Sequence, residues 1–286
     1  MELFTRANKI SKYNMCIFGK TFRNGFLLLV VFLCISEHLY DIVVFCKDKD
    51  IGVTPFAFVF VINNFQIQFV IMVCSVMIFS NAPFEDQSYL YLVSRAGRLS
   101  WGIGQIMYIM KLSAIYVFCL LVATIVPFIG HMQWVNEWGK IWGTLARTNT
   151  GAEYSIKLFV SSNIMHDYSP VKALVISISL EFACVMFIGL VVYLGNRLTG
   201  KAVGTIIGAI ITVLDVCIAN DWMDWAYGFS PVSLTQLELF YGYASRWGIN
   251  IKYATSFFMM SLIVLGILCI ASNYKEKANN NISRRR

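Results

Sequence analysis

Four carboxylates lie in or at the end of long apolar runs: Glu37, Asp41, Glu181 and Asp215. A carboxylate at the centre of hydrocarbon costs about 2.5–3.5 kcal/mol on insertion scales, so it normally faces a cavity or a partner. Glu37 and Asp41 are four residues apart and share one face of a helix. Two readings fit this pattern. In one, the four acids line an outer vestibule or exit path that favours a cationic or amphipathic molecule. In the other, Glu37, Asp41 and Asp215 sit at the water boundary and pair with Lys172 or Lys252. The remaining reactive side chains form no catalytic pattern. His38, His131 and His166 are far apart, and the adjacent His166–Asp167 pair has no serine or cysteine motif beside it. Zinc-protease helices, nucleophile elbows and dinucleotide glycine loops are absent. The stretch from Asn14 to Thr21 ends in Gly19-Lys20-Thr21 like a phosphate loop. It lacks the first glycine and is flanked by a basic amphipathic segment and an apolar run, whereas a phosphate loop needs a strand before it and a helix after it. Eight scattered cysteines include no C-x-x-C pair. No catalytic residue, metal site or cofactor site is expected on this chain.

The elements that position these acids follow from composition. Of 286 residues, 58% are hydrophobic and only 14% charged, with a mean hydropathy of +0.65. A soluble domain of this length has too little interior for so much apolar sequence, which leaves a polytopic membrane protein. A bilayer-crossing helix takes about 20 mainly apolar residues. Six stretches meet or approach that length: 22–45, 56–79, 103–128, 171–194, 202–219 and 251–272. The second, third and sixth are long and clean. The fifth is the shortest and carries Gly204 and Gly208, so it is expected to be tilted, broken or partly re-entrant. Residues 1–21 form an amphipathic segment that lies in the interface plane, held by anionic lipid. The fold class expected is all-α: one transmembrane domain over residues 1–286, with six transmembrane helices and an amphipathic N-terminal interfacial helix.

Charge sets the orientation. With both termini in the cytoplasm, the inner segments hold fourteen basic and four acidic residues, a net +10, while the outer segments hold eight of each. The net charge of +7 is therefore a topology signal, not a nucleic-acid footprint. The external stretch 129–170 carries Trp134, Trp138 and Trp142 at four-residue spacing. That spacing predicts three indoles on one face of a helix lying on the outer interface, with Thr148–Gly151 and Ser161–Ser162 as loop.

The longest inner loop, 80–102, holds the sequence's most specific feature. Asn81 and Pro83 end the preceding span. Asp86 is placed to cap a short helix over 87–94 that gathers Tyr89, Leu90, Leu92 and Val93, a surface suited to docking on a partner. Arg95 and Arg98 follow, and Trp101 anchors the membrane boundary. This Ser-Arg-x-Gly-Arg-x-x-Trp element, the amphipathic leader and the six spans together resemble the permease subunits of bacterial ABC exporters of the second class (ABC-2-like). In those proteins a lysine follows the tryptophan by a few residues; here that position is Gln105, and Lys111 lies further along. The Ser230-Pro231 turn in an aromatic outer segment is a second point of likeness.

The resemblance implies a chain of the bacterial cytoplasmic membrane that is not itself an enzyme. ATP and magnesium would belong to a separate ABC ATPase subunit, and a second permease chain, identical or related, would complete the path. The cargo would be a peptide of the bacteriocin or antimicrobial kind, or another amphipathic molecule, so that export could confer self-immunity. Residues 84–93 would be the coupling helix, so Phe84, Glu85, Asp86, Tyr89, Leu90, Val93, Arg95 and Arg98 would carry ATPase coupling. Residues 220–250 would gate the exit. The alternatives are a secondary transporter or a non-transport integral membrane immunity or sensor protein.

Overall fold

The computed structural model describes residues 2–85, 89–200, 202–241 and 248–283, with side chains to Asn273. Asp86, Lys201, Arg246 and the basic tail 284–286 lie outside the described residues. The chain is 81% helical and, among the described residues, has no strand. Four helices are long and apolar enough to cross a bilayer: α2 (Phe22–Lys49), α6 (Arg98–Ile125), α10 (Pro170–Thr199) and α12 (Ile251–Ser283, apolar to Asn273). Two further apolar helices are shorter, α4 (Phe65–Phe79) and α11 (Val203–Ala219). Between these lie α1 (Glu2–Lys20), α3 (Ala57–Ile62), α5 (Tyr89–Ala96), α7 (Gly139–Arg147), α8 (Thr150–Glu153) and α9 (Ser162–Asp167).

The stretch expected as one clean second span is broken. Asn63 and Asn64 stop α3 and start α4. Asn64 accepts hydrogen bonds from the Gln66 and Ile67 amides at 3.1 and 3.2 Å, capping α4, while the Asn63 Nδ2 donates back to the Val59 carbonyl. Asparagine competes for helical backbone bonds in this way wherever a cap is on offer. The glycine-bearing fifth stretch is continuous. Its glycines serve close packing: a Cβ on Gly204 would stand 2.3 Å from the Val192 carbonyl oxygen, and one on Gly195 would stand 2.5 Å from Gly204 Cα. Small residues let α10 and α11 meet backbone to backbone.

The bundle centre lies between α4, α6 and α10. Tyr116 on α6 donates to the Ile71 carbonyl of α4 at 2.7 Å, and Gly189 leaves room for Ile109 and Phe79. At the far end, Asn273 joins α12 to its neighbours, accepting from Tyr193 Oη at 3.2 Å through its side chain and from Arg98 at 3.5 Å through its carbonyl. Helix α1 is docked on α6: Ala7 and Ile10 pack on Gly104, Lys111 donates to Asn8 Oδ1 at 2.7 Å, and Asn14 donates to Gln105 at 2.9 Å.

The tryptophan stripe is not formed. Gly139 adopts φ +76° and α7 begins only there, so Trp134 and Trp138 precede the helix. Trp134 is exposed, whereas Trp142 is fully buried and donates to the Thr54 carbonyl at 3.1 Å. Two stretches expected as loop are short helices instead: α8, and α9, whose N-cap Ser161 accepts from the Ile164 amide.

Candidate functional site

The four acids part into two environments. Glu37 lies on the exposed side of α2 and accepts from Lys157 Nζ at 2.7 Å. Asp41, a turn later, is half-buried and near enough to act on the same lysine. The hydrogen bond to Glu37, then the charges of Glu37 and Asp41, hold the Lys157 ammonium above the usual lysine range. Glu37 thus pairs at the surface, but with Lys157 and not with the expected Lys172 or Lys252; Lys172 lies over the Tyr168 ring, and Asp215, expected at the same boundary, is buried.

Glu181 and Asp215 are fully buried, at 0% and 1% exposure, and belong to one polar cluster inside the apolar bundle. Its other members come from α4 and from the segment after α11. The Ser230-Pro231 turn leads into a 3-10 turn over Ser233–Thr235, all of it buried. Ser233 Oγ donates to Asp215 Oδ1 at 2.6 Å and lies 2.8 Å from Ser230 Oγ. Gln236 Nε2 reaches both Asp215 oxygens, at 3.3 and 3.1 Å. On the α4 side, Gln68 Nε2 donates to Glu181 Oε2 at 2.9 Å and to Thr235 Oγ1 at 3.1 Å. The Asn63 Oδ1 adds a backbone bond from Glu238 N at 2.8 Å. Buried polar groups demand such partners, because each one left unpaired costs about 1–3 kcal/mol. The break in the second stretch therefore has a positional use: Asn64 caps α4, and Asn63 and Gln68 meet the segment 230–238.

The cluster does not close completely. Glu181 Oε1 and Gln68 Oε1 are buried without a hydrogen-bond partner among the described residues. Both are acceptors, and they belong to the two side chains already joined by one bond. The chemistry these side chains offer is hydrogen bonding and charge.

The other predicted site lies in the turn after α4. Its helix is α5, Tyr89–Ala96, so Phe84 and Glu85 precede the helix rather than opening it. Phe84 packs edge-on against Tyr108 of α6 at 4.8 Å. Glu85 pairs with Arg197 near the end of α10, and Arg197 also donates to Tyr89 Oη at 3.1 Å. The Tyr89 ring stands edge-on to Trp101 of α6 at 5.0 Å. Val93 accepts the Gly97 amide that closes α5, and Arg95 donates to Tyr91 Oη at 2.9 Å. Leu90 and Tyr91 point outward, 78% and 63% exposed. The turn is further tied down by Arg23 of α2, donating to Asn81 at 3.0 Å, and by Asn196, donating to the Ala82 carbonyl at 3.0 Å.

Sequence reasoning missed Gln68, Ser233, Thr235, Gln236 and Asn63 in the first cluster, and Arg197, Asn196 and Tyr91 in the second. The available signal was polar residues interrupting apolar runs, Asn63-Asn64 and Gln66/Gln68 above all. Comparison with protein-family models, with curated proteins and with solved structures finds no match for this chain.

Proposed function

We propose that this chain is the membrane permease subunit of an ATP-driven exporter of the second ABC class. On this reading it lies in a bacterial cytoplasmic membrane, with six crossings and both termini inside. It forms, with a second permease chain, the path of a peptide or other amphipathic cargo, and ATP and magnesium are bound by a separate ABC ATPase subunit. The observation that carries the proposal is the build of α5. An eight-residue surface helix presents Leu90 and Tyr91 outward, while Tyr89 and the preceding Glu85 connect it through Arg197 and Trp101 to α10 and α6. A partner that grips the exposed side chains would move two long apolar helices. The second support is the polar cluster, in which segment 230–238 is joined to the bundle through Asp215, Gln68 and Asn63. The same segment also buries Val232, Leu234 and Leu237 in the bundle, so its withdrawal would have to be driven.

The test is co-expression with an ATPase carrying a phosphate loop encoded beside this chain. A stable complex that hydrolyses ATP is expected, and Leu90→Ala with Tyr91→Ala should abolish assembly while leaving the permease folded. Unchanged assembly and hydrolysis in that double variant would remove α5 as the coupling element. Cargo movement with no ATPase present would favour a secondary transporter.

A further inference from the structure

The charged side chains of α1 do more than decorate an amphipathic helix. Two adjoining clefts, each of about 570 Å³, open where α1 meets α5 and the start of α6. They share Arg6 and Ala96 as walls. The first is lined by Arg6, Lys9 and Arg95 together with Ile10, Tyr13 and Leu92, and no acidic side chain lines it among the described residues. The second adds Arg98, with Glu2 as the acid among its walls. Four cationic side chains thus line the two clefts with one carboxylate; Arg95 also donates to Tyr91 and Arg98 to the Asn273 carbonyl. The carboxylate, Glu2, already pairs with Arg6 at 3.1 Å in an exposed contact, which a stronger anion can displace. Gly97 lines the second cleft at φ +86° with open space where a side chain would be, so an anion can approach the backbone that begins α6.

The scaffold around the clefts is fixed. Asn8 and Asn14 hold α1 to α6 through Lys111 and Gln105. This docking sets Arg6 and Lys9 of α1 in one cleft with Arg95 of α5. The walls are half apolar, through Ile10 and Leu92, which suits a phosphate that carries a glycerol and acyl chains better than a free ion. The same helix exposes Phe4 and Ile17, at 65% and 40%, as an interfacial helix does.

We propose that the α1–α5 clefts form a specific binding site for the phosphate headgroup of an anionic phospholipid, read by Arg6, Lys9, Arg95 and Arg98. The site makes the lipid a bridge between the docked helix α1 and the surface helix α5. It rests on membrane embedding alone and not on the exporter reading, and its test uses neither ATPase nor cargo.

The experiment measures retention of phosphatidylglycerol against phosphatidylcholine by the purified full-length chain, using native mass spectrometry. Arg6→Gln with Lys9→Gln is compared with Lys12→Gln with Lys20→Gln, which removes equal charge from the same helix outside the clefts. The cleft pair should weaken phosphatidylglycerol retention about tenfold more than the control pair, as expected for charge-assisted contacts to a phosphate. Arg95→Gln, on α5, should weaken it in the same direction. Equal loss in both pairs would mean diffuse surface attraction and overturn the site, as would no loss in either. Displacement of the lipid by inorganic phosphate as effective as by phosphatidylglycerol would overturn the lipid assignment. Thermal unfolding of each variant separates loss of binding from loss of fold.

Discussion

Asp215 and Glu181 show how differently two buried carboxylates can be served. Asp215 is engaged from Ser233 and twice from Gln236, whereas Glu181 receives one bond and keeps one oxygen unpartnered. Asp215→Ala should release the segment that follows the Ser230-Pro231 turn and lower stability by about 1–3 kcal/mol, read as thermal unfolding in detergent. Asp215→Asn keeps an acceptor and should fall between that variant and wild type. Gln68→Leu should be of similar cost to Asp215→Ala, because it strands Glu181 and Thr235 together. At the surface, Lys157 gives a pH signature. Its ammonium is held above the usual range by Glu37 and Asp41. The contribution of this pair, present while Glu37 is ionised, is therefore complete from neutral pH up to the ordinary lysine value of about 10.4 and disappears as pH rises through the raised value. A Lys157→Met variant should differ from wild type at neutral pH and converge with it in strong alkali. The sequence could flag Glu181 and Asp215 as costly, but it could not name their partners. Residues 68, 181 and 235 meet only through the fold.

At the scale of elements, apolar run length was a good guide. The stretches expected at 22–45, 171–194 and 251–272 appear as α2, α10 and α12, each extended by polar residues that a hydropathy reading trims. Breaks were harder to read. Two consecutive asparagines outweighed the surrounding apolar residues and divided the second stretch, and one left-handed glycine removed the periodicity that Trp134, Trp138 and Trp142 suggested. The contact of α10 with α11 is open to a direct check. Gly204→Val places a branched side chain against the Val192 carbonyl and should cost about 1–3 kcal/mol or prevent folding, seen as loss of monodisperse protein. In α5, Tyr89→Phe removes one bond to Arg197 while keeping the ring on Trp101. It should leave assembly with an ATPase intact and weaken the response of transport to ATP hydrolysis, measured as cargo moved per ATP consumed.

For the whole molecule, large apolar side chains remain exposed along the apolar helices, among them Leu29, Leu33, Phe118, Ile206, Ile210, Met260 and Ile267. Such a surface is what a bilayer or a second membrane chain covers, and it exceeds what a soluble monomer tolerates. Within this girdle, among the described residues, one group of polar side chains joins segment 230–238 to Glu181 and Asp215, and another joins the turn 80–96 to Arg197. The exporter reading assigns closure to the first and drive to the second. The measurement that bears on it most directly is accumulation of a labelled cationic amphipathic peptide in inside-out vesicles holding this chain and its partner ATPase. The account predicts uptake that requires ATP hydrolysis and is lost in Leu90→Ala with Tyr91→Ala although that variant folds. Uptake without ATP hydrolysis, or undiminished uptake in the double variant, would contradict it.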